Sequence, residues 1–199
     1  PEIALSYNNL GAVYGTKGDY EMALEYHNKT LAIQLKTIGK NHPHVALSYK
    51  NIGLDYDGIG ENNQAVESFL KAIEIYFNLG LAHQDNSDFD LAIEYYSNAL
   101  EIQLDILGEG HWDIAAIIYQ NLGTAHEGKD DYDTAIEFFQ KAVDLRIDML
   151  GHSHPDLADS YYNLGIAFFN KGLISTIGAA MSNERSGAAS DRSEEHTSE

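Results

Sequence analysis

The 199-residue chain contains no cysteine. That absence excludes a disulfide framework, a thiolate metal site and a cysteine nucleophile, and it fits a reducing, cytoplasmic setting. Proline is nearly absent too, with 3 residues, so little interrupts helix. Basic residues are scarce: 12 Lys and Arg stand against 31 Asp and Glu, for a formal charge of -19. Such a surface repels phosphate backbones and anionic lipid headgroups, so neither nucleic acid nor a membrane is expected as a partner. No apolar run approaches the roughly 18 residues that a membrane-spanning helix needs. The chain opens at Pro1 rather than Met, so the lack of a leader carries no information on location. Apolar residues still make up 44%, enough for a buried core.

What the chain does have is self-similarity. One pattern occurs five times: Tyr7-Asn8-Asn9-Leu10-Gly11, Tyr49-Lys50-Asn51-Ile52-Gly53, Tyr76-Phe77-Asn78-Leu79-Gly80, Tyr119-Gln120-Asn121-Leu122-Gly123 and Tyr161-Tyr162-Asn163-Leu164-Gly165. Three residues after each glycine stands an aromatic or histidine: Tyr14, Tyr56, His83, His126 and Phe168. Twelve residues after the first four glycines comes Ala23, Ala65, Ala92 or Ala135, followed four residues on by His27, Phe69, Tyr96 or Phe139. The glycine and alanine mark places where two helices of a hairpin approach closely, and the large residues fill the space beside them. The predicted unit is therefore a helix A with the glycine, a short turn, and a helix B with the alanine and the ring. A single hairpin cannot bury its apolar face, so neighbours must stack.

This pattern resembles the tetratricopeptide repeat. The glycines at 11, 53, 80, 123 and 165 are spaced by 42, 27, 43 and 42 residues, and the 42-residue form is similar to the repeats of kinesin light chains and nephrocystin-3-like proteins. The resemblance implies an all-α fold, a right-handed α-solenoid of antiparallel helical hairpins over residues 1–172. Residues 173–199 read as a non-repeat tail without core contacts from 182 onward, with a makeshift helix over 173–181. The last eight residues, RSEEHTSE at 192–199, match one reading frame of a common sequencing adapter and are expected as an artefact.

Three irregularities carry their own expectations. The 27-residue step lacks 15 residues, and no glycine or proline lies between Ala65 and Leu79, so residues 62–84 are predicted to form one continuous helix that interrupts the concave groove. The loss is either natural or an assembly error between similar repeats. The 43-residue step places one extra residue near Ile114-Ala115-Ala116-Ile117-Ile118, to be absorbed by a late helix start or a π-bulge there. The fifth helix A has no helix B after it, which leaves Phe168 and Phe169 uncovered.

No catalytic motif is present, and the chain is not expected to be an enzyme. His42-x-His44 and His152-x-His154 lack further ligands at a metal-binding spacing, and before proline they read as linker caps. Glu25, Glu67, Glu94 and Glu137 recur with the repeat on a face expected to be solvated. No cofactor is implied.

The asparagine before each Leu-Gly pair is the candidate binding element. By resemblance, Asn9, Asn51, Asn78, Asn121 and Asn163 face the concave groove, where an amide offers both donor and acceptor to an extended peptide. A structural bond to a neighbouring helix is the competing role. Beside them the groove should present Lys50, Gln120 and Tyr162, and across the glycine Asp57, Gln84 and Glu127. Only Lys50 is basic, so a basic or neutral peptide or protein ligand is expected rather than an acidic one. The resulting function is a protein-interaction scaffold, or alternatively a ligand-sensing arm of a larger regulated ATPase or peptidase. The sequence does not fix the ligand or the oligomeric state.

Overall fold

The computed structural model describes residues 2–152, 154, 155 and 157–195, with side chains at 109, 110 and 177–195 outside the description. Eight α-helices follow in order: α1 (Glu2–Thr16), α2 (Tyr20–Thr37), α3 (Pro43–Ile59), α4 (Asn62–Asp85), α5 (Phe89–Ile102), α6 (Trp112–Glu127), α7 (Tyr132–Leu150) and α8 (Leu157–Glu195). No strand occurs among the described residues. Each helix packs on the next in the chain, α1 on α2 through to α7 on α8.

The glycine-to-ring contact sets the hairpins. A Cβ on Gly11 would come within 2.6 Å of the His27 ring, and one on Gly53 within 2.5 Å of the Phe69 ring. Gly80 meets Tyr96 at 2.5 Å and Gly123 meets Phe139 at 2.7 Å in the same way. No side chain larger than hydrogen fits there without displacing the ring. Ala23, Ala65, Ala92 and Ala135 are buried beside these rings. Truncating such a core ring to alanine removes about 3–5 kcal/mol. Gly165, in the unit that lacks a helix B, has nothing within 4 Å of the equivalent position.

The turns follow from local chemistry. Gly60 ends α3 in the left-handed region at φ 92°, and Glu61 N donates to Tyr56 O to close the turn. Asp19 caps α2 by accepting from Met22 N at 3.3 Å, and Asp131 caps α7 by accepting from Thr134 N at 3.3 Å. In the linker before α3, His42 Nδ1 accepts from His44 N at 3.1 Å and Pro43 takes the first helical position, as the capping reading expects.

Helix α4 is a single 24-residue helix, about 36 Å at 1.5 Å per residue, and matches the expected fusion. Its first half packs on α3 through Phe69 and its second half on α5 through Gly80. One consequence is a long-range contact: Lys50 Nζ on α3 reaches Glu101 Oε1 on α5 at 2.6 Å.

One expectation needs correction. The extra residue leaves α6 regular through Ile114 and Ile118; a π-helical turn appears upstream instead, at Gln103–Leu107, followed by a 3-10 turn at Gly108–His111. The adjustment falls on the helix end and linker because α6 is packed on both sides, and Ala115, Ala116 and Ile118 are buried. In the tail, expected to be disordered or packed without a core from Ser182, α8 continues as helix from Leu157 to Glu195, with no reversal at Gly172. No proline follows Pro155, so nothing in the chain forces that helix to stop. Residues 196–199 lie outside the described residues.

The buried core runs continuously from Ala46 on α3 to Ala125 on α6, and a second cluster joins α7 to α8 through Phe139, Val143, Leu164 and Ala167. Beyond it α8 is uncovered: Tyr161, Tyr162, Phe168 and Phe169 are all about half exposed or more. No helix among the described residues is long and apolar enough to cross a membrane.

Candidate functional site

Helices A present the asparagines at one register, but the five side chains differ in what they touch. Asn51 Nδ2 donates to Asn8 Oδ1 at 3.3 Å, linking two successive helices A. Asn121 Nδ2 donates to the Ile117 carbonyl of its own helix at 2.9 Å, which leaves Oδ1 without a partner among the described residues. Asn9, Asn78 and Asn163 make no side-chain hydrogen bond with any described residue, and Asn9 and Asn78 are exposed.

Most of the flanking positions are already engaged within the chain. Lys50 is held by Glu101. Gln120 Oε1 accepts from Arg146 Nη1 at 2.6 Å, and the same nitrogen donates to Ser160 Oγ. Glu127 Oε1 accepts from Asn170 Nδ2 at 3.0 Å, a second link between successive helices A. Gln84 Oε1 accepts from Tyr96 Oη at 3.3 Å. Burial, with the charge of Asp85 adding to it, pushes the Tyr96 phenol up to about 12, so it stays a neutral donor. Of the flanking set Tyr162, at 67% exposure, and the exposed Asp57 stand clear of described partners. These residues therefore brace neighbouring helices, and their presence one repeat apart gives the face a fixed register.

The recurring glutamates of the helices B are exposed, and two pair along their own helix: Lys29 with Glu25 at 2.5 Å and Lys71 with Glu67 at 2.6 Å. That is a solvated face, not an acid pair poised for catalysis.

Sequence reasoning missed the joints between hairpins. Gly58 on α3 faces the Tyr20 ring at 2.6 Å, and Gly128, just past the end of α6, faces Phe89 at 2.4 Å, measured from the position of an added Cβ. The signal was present: a glycine five residues after the motif glycine, and an aromatic three before the motif alanine. It also missed the pairing of His27 with Asp55. His27 stands where the other units carry Phe or Tyr, and Asp55 stands where later helices A carry Ala82, Ala125 and Ala167.

The tetratricopeptide repeat profile matches residues 2–76, 75–148 and 113–172. Among solved structures, BtubC (BKLC) from P. vanneervenii is similar at 24% identity and a TM-score of 0.48, over 92% of this chain and 78% of that one. A kinesin light chain from Podosopora anserina with nearly identical TPR-like repeats aligns at 22% identity and a TM-score of 0.43, over 91% and 92%. The MamA protein aligns at 25% identity and a TM-score of 0.42, over 86% and 84%. No curated protein matches. The profile spans nearly all of α1 to α7 and the start of α8, over the same glycine, alanine and ring positions that pack the hairpins. The chain thus belongs to the tetratricopeptide repeat family, whose arrays generally serve as protein-interaction scaffolds.

Proposed function

We propose that this chain holds an extended, basic or neutral peptide segment of a partner protein along the face formed by its helices A, with the asparagine amides as anchors. The observation that carries the reading is the pair Asn121 and Asn163, one repeat apart on α6 and α8, each with an amide oxygen free of described partners. An extended peptide has an unpaired backbone N–H and C=O at every residue, and a ladder of fixed amides meets those groups without selecting a sequence. Tyr162 beside Asn163 adds an exposed ring for apolar contact. The formal charge of -19 favours a basic over an acidic ligand through long-range attraction.

Display of random peptides against the full chain tests the reading. Selected peptides should broaden or shift the amide resonances of α6 and α8 around Asn121 and Asn163. Peptides that instead map to α7, or a failure to recover any binder, would count against it.

A further inference from the structure

A cleft lies where the fused helix α4 begins. Because α5 runs back along α4, its π-helical turn comes to lie near the start of α4 and the end of α3. Between them opens a cleft of ≈ 480 Å³, a volume within the usual range for small-ligand pockets. Leu54, Val66, Phe69 and Leu107 line it with apolar surface, and Asp57 and Asp105 are exposed at its edge. Neither carboxylate has a hydrogen bond or ion pair to any described side chain. That sets them apart from Glu25, Glu67, Glu101 and Asp90, each of which holds a lysine.

We infer that this cleft is a second, separate docking site, and that it receives an arginine side chain of a partner peptide. None of the five helix-A asparagines lines it, although Asp57 is among the residues expected beside them, and the inference does not depend on their amides. Arginine fits the chemistry in both halves: its three methylenes lie on apolar surface while the guanidinium stays at the polar edge. The planar head offers a fork of donors to two carboxylates that have none. A neutral apolar side chain would leave both carboxylates unpaired, and an acidic one would be repelled. The first turn of α4, at Asn62, contributes partial positive charge that opposes a cation. Glu61 at its cap position, together with Asp57, offsets it. His111 completes the lining and provides a ring against which a guanidinium can stack.

Immobilised peptide pools with random flanks and a fixed central Arg, citrulline or Glu provide the test on the full chain. Citrulline keeps the shape of arginine and removes its charge. The Arg pool should retain the protein about tenfold better than the citrulline pool, and the Glu pool least. Asp57→Asn with Asp105→Asn should bring Arg retention down to the citrulline level. Glu137→Gln with Asp148→Asn, exposed carboxylates on α7, changes the net charge equally and should leave the preference intact. Asn121→Ala with Asn163→Ala should also leave it intact, which separates this site from the asparagine face. Equal retention of Arg and citrulline pools, or a preference that survives loss of Asp57 and Asp105, overturns the inference. Should the double variant melt early, Asp105→Asn alone and the amide shifts of residues 54–57 and 105–107 decide; absence of shifts there overturns it as well.

Discussion

His27 Nδ1 and Asp55 Oδ2 lie 2.5 Å apart, joining α2 to α3 across the boundary between the first two repeats. Both side chains are about 95% buried, and His27 Nε2 faces Gly11 without a hydrogen-bond partner. The two residues replace the ring and the small residue that the other repeats use at these positions. A buried polar pair of this kind fixes which helix meets which, yet its net stabilisation is small because both groups leave water. Asp55→Ala alone strands the imidazole and His27→Phe alone strands the carboxylate, so each single change should cost about 3–5 kcal/mol. The double variant, which restores the pattern of the other repeats, should be at least as stable as the natural chain. Chemical denaturation of all four proteins checks this; additive losses in the double variant would rule out the pairing.

Turn residues give a second prediction. Ser87 and Asp130 adopt φ 60°, at the position occupied by Gly18 and Gly60 in the first two hairpins. The left-handed conformation costs a side-chain-bearing residue about 1–2 kcal/mol relative to glycine. Ser87→Gly should therefore raise the melting temperature, whereas Gly60→Ser should lower it. No change in either direction would mean that the turns relax more than their geometry indicates.

The fusion of two repeats into α4 predicts a lack of tolerance at its middle. Glu74 is exposed, so its replacement disturbs no core contact. Glu74→Pro should still cost about 3 kcal/mol or more, since it removes a helical hydrogen bond and clashes with the preceding turn. Glu74→Ala should be nearly neutral. Equal melting of the two variants would indicate a joint in the chain near that residue.

The hairpin units were legible in the sequence because each rests on a short-range pattern: glycine and ring, such as Gly53 and Phe69 or Gly80 and Tyr96, are 16 residues apart in the first four units. The continuity of α4 was legible for the same reason, since nothing between Ala65 and Leu79 stops a helix. The π-helical turn at Gln103–Leu107 was not legible. The extra residue enters near α6, but α6 stays regular, and the irregular turn falls at the end of α5, where Gln103 is fully buried. Groove residues were only partly legible. The repeat pattern named Lys50 and Gln120 as groove positions, but Glu101 and Arg146, which engage them, belong to other helices and are set by tertiary packing alone.

Acid should weaken one turn in a defined direction. Hydrogen bonding from Thr134, with a further contribution from His126, holds the Asp131 carboxyl below the usual aspartate range. A folded-state value below the unfolded one gives stability that is present above the unfolded value and lost as pH falls through the folded one. Asp131→Ala should cost about 1 kcal/mol at neutral pH through the lost cap. The difference between the two proteins should close in acid, below the ordinary aspartate range. A gap that stays constant with pH would show that the carboxylate does not act through its charge.

The central claim is that the asparagines of helices A hold a ligand rather than the fold, and one double variant tests it. Asn121→Ala with Asn163→Ala removes a single intrahelical bond from the described structure and no core contact. Each amide bond lost to a bound peptide should cost about 1 kcal/mol, so the pair should weaken a display-selected peptide by roughly tenfold or more. Titration of that peptide and thermal melting, made on the same preparation, separate the two roles. The account predicts weakened binding with the melting temperature nearly unchanged. A sharp fall in melting temperature with unchanged affinity per folded molecule would contradict it and assign the ladder to the scaffold.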